Sequence, residues 1–407
     1  MNTASISPEP VEVALADDAK IIALVGLAHS SSHFSHLILP LMFPVFIKAF
    51  GLSYSALGFV MSVFFFISGV GQACSGFVVD KIGARPVMYA SLVFLGAGCF
   101  WASSAEGYQD LIIVAILLGL GNCAFHPMDY TILNQRVSLK RIGYAYSAHG
   151  LTGNLGWAVA PVFMVGITQM SKWQTAYVCA GFVYLVILAL LLFYRDSILT
   201  QPHVKPKTTE EGVPTSILKL PMVWWCFSFF FFSTMTLAVV QNYSVIILQS
   251  LYTVSLQSAT MTLTSYMLCA AAGMLSGGFV AAKWPTQSDQ VVAVCMAIGA
   301  LLMALCASTW FSAPWAMVAL AATGFALGIG GPSRDMMIRK ATPKGATGRV
   351  YGVVYSGLDA GFAIAPTLFG YFMDHTWFSG VLLCSALTLM VSVFFAFAVG
   401  RQEIKTS

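Results

Sequence analysis

Long apolar runs separated by short polar intervals recur twelve times along the chain. A helix needs about 20 such residues to cross the hydrocarbon core of a bilayer, and somewhat more when it tilts. On that measure the pattern predicts helices over 21–48, 54–79, 86–104, 109–134, 141–168 and 174–194, and then over 221–248, 256–282, 290–309, 314–338, 348–373 and 378–400. The longest polar interval runs from Arg195 to Lys219. Its Pro202, Pro206 and Pro214, with Glu210 and Glu211, suit an extended linker with room for a short surface helix. The expected architecture is all-α: a membrane protein of twelve transmembrane helices in two pseudo-symmetric six-helix bundles, 21–194 and 221–400, with a linker at 195–220 and cytoplasmic tails at 1–20 and 401–407.

An internal repeat supports the division. A shift of 205 residues aligns Pro127 with Pro332, Gly143 with Gly348, Gly156 with Gly361, and Ala160-Pro161 with Ala365-Pro366, all without a gap. The same shift sets Asn154 against Asp359, so a carboxylate at that depth is not demanded by the repeated fold.

Composition removes the soluble alternatives. Of 407 residues, 58% are hydrophobic and 9% charged, where a water-soluble domain carries about a quarter charged residues. Of the 20 lysines and arginines only Lys48 and Lys172 fall on the outer side when both termini are placed inside, which fixes the expected orientation. The nine cysteines stand singly in apolar stretches, without metal or disulfide spacing, and read as packing residues. Residues 1–20 are polar and acidic and lack the basic region and cleavage site of a signal peptide.

Charge appears abruptly between the second and third runs, in Gly76-Phe77-Val78-Val79-Asp80-Lys81-Ile82-Gly83-Ala84-Arg85, which predicts a tight cytoplasmic turn. This Gly-x-x-x-Asp-x-x-Gly-x-Arg pattern resembles the signature loop of the major facilitator superfamily of secondary transporters, and the resemblance spans essentially the whole chain. It implies alternating access by two bundles, with helices 1, 4, 7 and 10 lining the pathway. It also implies a cytoplasmic gate: Asp80 and Arg85 in the loop, Asp129 near the inner end of the fourth helix as partner of Arg85, Arg136 just beyond, and Arg334 with Asp335 as a second layer. The second copy of the loop has decayed, since Gly278 is followed by Ala282, Lys283 and Trp284. No glycine immediately precedes Pro161 or Pro366, and the fourth helix lacks an embedded arginine; both depart from proton-driven drug antiporters. His33-Phe34-Ser35-His36 followed by Leu39-Pro40 resembles the first helix of fosmidomycin-resistance-type exporters.

Three histidines, His29, His33 and His36, recur at spacings of four and three and share one face of the first helix. They lie roughly 12 to 23 Å into the membrane, where polar groups are costly unless they face protein or a wet cavity. They can bind protons, solute or metal, or serve as hydrogen-bonded packing residues beside their neighbouring serines. Pro40 and Pro44 bend the same helix and can free backbone carbonyls. Asp359 is the most interior carboxylate; its protonation would follow access to water, as a coupling residue requires, with His33 and His36 as its companions. His126 and His149 are candidates for the cavity floor, and Gln241, Asn242, Gln72 and Tyr266 for neutral contacts to solute.

There is no His-Glu-x-x-His segment and no phosphate-cradling loop, so neither a metal enzyme nor direct ATP drive is expected, and no cofactor. The expected partners are a small-molecule solute, protons and lipid, with no nucleic acid, and the chain is expected to act as a monomer in the plasma membrane. The reading is a proton-coupled transporter exporting a small organic solute. Uptake of a carboxylate or metal complex is the runner-up, and a transporter-like receptor without turnover is the alternative of a different class.

Overall fold

A computed structural model describes residues 14–201, 219–341 and 347–406. The first thirteen residues of the expected tail, most of the linker with its surface helix, and Ser407 lie outside the described residues. The twelve expected spans are all present as helices long and apolar enough to cross a membrane. In the first half they are α1 (Leu15–Ile38) with α2 (Phe43–Phe50), α3 (Tyr54–Ile82), α4 (Ala84–Ser103), α5 (Tyr108–Asn122) with α6 (Phe125–Arg136), α7 (Ile142–Met170) and α8 (Trp173–Phe193). In the second they are α9 (Pro221–Tyr252), α10 (Leu256–Lys283), α11 (Ser288–Ala307), α12 (Ala313–Ala341), α13 (Thr347–Asp374) and α14 (Phe378–Thr406).

Two spans are broken, and proline chemistry explains where. Pro40 opens a single 3-10 turn, so Met42 N–H bonds Leu39 O at 3.0 Å and leaves Ile38 O free of its helical partner. The Tyr177 hydroxyl takes that carbonyl at 2.8 Å. In the fourth span Pro127 has no N–H to offer Cys123 O, and the helix divides at residues 123–124 rather than running through 109–134 as expected. Ser75 Oγ donates to the orphaned Cys123 carbonyl at 3.3 Å.

Three further boundaries differ from expectation. The tail at 1–20 gives way to helix at Leu15, because Asp18 is fully buried where it accepts from Ser138 N at 3.1 Å, Ser138 Oγ at 2.5 Å and Arg141 Nη1 at 2.7 Å. At the other end α14 continues to Thr406, so 401–406 is helical. The signature stretch is mostly the last two turns of α3; the turn itself is Gly83, whose φ of +85° favours glycine, and α4 starts at the next residue.

The packing repeats between halves. Within the first half α1 packs on α7, α3 on α5, and α4 on α8; the partners six spans later, α9 on α13, α10 on α12, and α11 on α14, pack in the same way. The bundles meet along α3 with α13 and along α7 with α10, which are again equivalent pairs. Gly156 lets α7 approach the Ser30 carbonyl of α1 closely, and Gly361 does the same for α13 on α9 at Phe231. The 205-residue shift also relates two contacts across the bundle interface: Asn154 beside Met274, and Asp359 beside Gly69. The second pair has exchanged a thioether for empty space, and a carboxylate occupies it.

One end of this interface is closed. Asp374 accepts from Tyr54 N at 2.6 Å and Ser55 N at 3.0 Å, so a carboxylate of one bundle caps the helix N-terminus of the other. Tyr243 OH, held within its own bundle by Pro366 O at 2.5 Å, also reaches across to Tyr54 O at 3.3 Å, Ser62 and Thr367 share a hydrogen bond of 2.7 Å, and Phe65 stacks on Phe362 at 4.3 Å between ring centres.

Candidate functional site: a histidine-lined cavity between the bundles

Below the closed end lies a cavity of about 40 Å³, room for two or three waters. Ser32, His33 and His36 reach it from α1, Phe65, Ser68 and Gln72 from α3, Asn122, Phe125 and His126 from the broken fourth span, and Leu358, Asp359 and Phe362 from α13. The first helix thus presents its histidine face inward, and Asp359 stands opposite from the other bundle. Among the described residues no arginine or lysine lines this space. Among the described residues no hydrogen bond or ion pair reaches the Asp359 carboxylate.

His36 is wired into a fixed network. Trp157 Nε1, which can only donate, bonds its Nδ1 at 3.2 Å, so the ring proton is on Nε2, 3.1 Å from Asn122 Oδ1. Asn122 also accepts from Ser32 Oγ at 2.5 Å and donates to Ser68 Oγ at 2.8 Å. A second proton on His36 would displace the indole N–H. Of the two histidines expected to carry protons, His33 is the less constrained: its ring lies 4.3 Å from Trp157 and its Nδ1 has no partner.

Deeper on the first-bundle side, four histidines and a carboxylate converge. His29 stacks on His149 with ring centres 3.5 Å apart and lies 4.5 Å from His33 and 5.4 Å from His126. Asp129, wholly buried, accepts from His149 Nε2 through Oδ2 at 3.0 Å. His29 Nδ1 is equally close to that oxygen, 3.0 Å, but is off the hydrogen-bonding direction and is left without a partner. His126 is exposed, and because it lines the cavity that exposure is to the internal space.

The residues expected to form a cytoplasmic gate make other contacts in this conformation. Asp129 faces histidines, and Arg85 instead donates to Arg195 O at 3.3 Å. Arg136 grips the same segment after α8, bonding Ser197 O at 3.2 Å and Asp196 O at 3.0 Å. Asp80 is exposed and lines a surface hollow with Tyr130, Gln135 and Gln201. Arg334 pairs with its own neighbour Asp335 at 2.9 Å and lies over the Phe230 ring. Gln241, Asn242 and Tyr266 do not reach the cavity: Asn242 Nδ2 bonds Ala238 O at 2.7 Å, the Gln241 amide is buried without partners, and Tyr266 packs where Gly324 meets its carbonyl. Asn122 and Trp157 were missed. Asn122, a lone amide at the end of an apolar run one turn before His126, is a signal the sequence carries; Trp157 has none.

Two pseudo-symmetric bundles around a central polar cavity define a polytopic secondary transporter. The Major Facilitator Superfamily pattern matches residues 25–294 and 242–407, and the chain belongs to that family. That family comprises secondary transporters of small solutes that work by alternating access, not enzymes. It is 28% identical over 207 residues to an uncharacterized MFS-type transporter, YfnC, of Bacillus subtilis, spanning about half of each chain (49%). It is 25% identical to the fosmidomycin resistance protein of Escherichia coli over 69% of this chain and 70% of that one, and 22% identical to a probable L-galactonate transporter of the same species over 87% and 83%. Its fold matches the inward-facing, unoccupied crystal structure of a bacterial homologue of the human lysosomal transporter Spinster, with a TM-score of 0.75 at 12% identity over 97% of this chain and 99% of that one.

Proposed function

We propose that the chain is a proton-coupled transporter of a small organic anion, moving it inward together with protons. The observation that carries this reading is a cavity rich in imidazole and without arginine or lysine. A fixed cation would bind an anion whatever the proton gradient. Imidazoles bind it only when protonated, so anion and proton occupy the site together. Asp359 holds the complementary place: neutral it tolerates the anion, ionised it repels it, and its position on α13 ties that change to the bundle interface.

With both termini inside, the closed end faces outward, and the protein is inward-facing in this conformation. Solute arriving from outside requires the Asp374 cap and the Tyr243 contacts to part, which widens a cavity otherwise too small for it. This reading ranks uptake above the export favoured by the sequence, because a proton that neutralises an anion travels in the anion's direction. Likeness to the probable L-galactonate transporter, named for a carboxylate, supports uptake, and likeness to the fosmidomycin resistance protein supports export as the second reading.

The test is flux in proteoliposomes across a panel of sugar acids, aromatic acids and phosphonates. Uptake accelerated by an acidic exterior is the expected result. Accumulation driven by an acidic interior establishes export by antiport instead. Flux indifferent to either gradient ends the coupling proposal, and binding without flux establishes the receptor.

A further inference from the structure

In the first bundle, three buried side-chain polar atoms lack a partner among the described residues, His29 Nδ1, His33 Nδ1 and Asp129 Oδ1, and all three belong to one cluster. Leaving a buried polar group unpaired costs about 1 to 3 kcal/mol each, so the surroundings of Asp129 are incompletely satisfied by the described residues. His29, His126 and His149 each bring one ring nitrogen, and these atoms lie within 4.8 Å of one another.

We propose that His29, His126 and His149 form a binding site for one divalent transition-metal ion of the zinc, cobalt or nickel class, with Asp129 behind them. At metal–nitrogen distances of about 2.0 Å, tetrahedral ligands stand roughly 3.3 Å apart, so the rings close on an ion by side-chain rotations of about an ångström. Asp129 Oδ2 lies 3.0 Å from both His149 Nε2 and His29 Nδ1. A carboxylate behind a ligating histidine fixes its tautomer and turns the lone pair of the opposite nitrogen outward. Nitrogen donors select transition metals over magnesium and calcium, which take oxygen.

The ion is reached from the cavity, because His126 is exposed there. Three protein ligands leave a tetrahedral ion one open position. The ion site does not rest on the organic-anion reading above: imidazoles that hold an ion are unprotonated, so ion and proton compete for them.

The test is titration of tag-free, purified protein with Co²⁺, read by visible absorption, alongside equilibrium dialysis with Zn²⁺. One ion per chain is expected, bound more tightly as pH rises because ligating imidazoles must be free of protons. His126→Ala, at an exposed position, keeps its thermal unfolding temperature without metal and loses the absorption band. Asp129→Asn weakens binding about 10- to 100-fold. No saturable ion, equal binding by His126→Ala, or equal competition by Mg²⁺ overturns the site.

Discussion

At the scale of single residues the account turns on Asp359 and the groups that hold His36. The carboxylate sits where the equivalent position, Asn154, bonds Gly150 O at 3.0 Å and rests against Met274. Asp359→Asn keeps the shape and removes the charge change. It is expected to reduce gradient-driven accumulation while leaving exchange of solute for solute, measured in the same vesicles with and without a pH difference. Asn122 is a structural hub, joining Ser32, His36 and Ser68. Asn122→Leu strands those partners in the bundle and is expected to cost about 2 kcal/mol, seen as a lower unfolding temperature in detergent. These residues differ in legibility. The spacing of His29, His33 and His36 displays their shared face directly, whereas Trp157 and Asp18 acquire their roles only through partners more than a hundred positions away.

At the scale of elements, helix ends carry the conformational change. Asp374 binds two N–H groups at the start of α3 through charge-assisted hydrogen bonds, but it is exposed and partly screened by water. Asp374→Ala is expected to weaken closure by about 1 kcal/mol, a roughly fivefold shift in population. Spin labels on α3 and α13 near that end report it as growth of the longer-distance component. Gly58 marks the same contact, because a Cβ there would overlap the Pro366 carbonyl. Gly58→Val is expected to hold this end apart, with the longer distance dominant even without solute. Spans were legible because twenty apolar residues in a row leave few alternatives, and Pro40 announced the bend in the first, whereas the break before Pro127 in the fourth was not expected. The length of α1 was hidden: Asp17 and Asp18 look like tail residues until Ser138 and Arg141 are brought beside them.

At the scale of the whole molecule, pseudo-symmetry makes alternating access possible and its local failures make it directional. The fourth span breaks at residues 123–124, whereas its counterpart α12 continues through Pro332. All the histidines of the cluster belong to the first bundle and Asp359 to the second, so the proposed proton and solute site spans the interface between bundles. Twelve spans and the repeat were readable from composition and a fixed shift. The partnership of Asp129 with Arg85 that family resemblance implies is not made in this conformation, where Asp129 lies against imidazoles. The measurement that bears most directly on this account is proton exchange on solute binding: purified protein in weakly buffered detergent solution, solute added, pH followed. Net uptake of protons by the wild type, of the order of one per solute or more, is expected, and a smaller uptake by Asp359→Asn, which keeps the imidazoles and lacks the carboxylate. Solute binding by the wild type with no change in bound protons between pH 6 and 8 would contradict it.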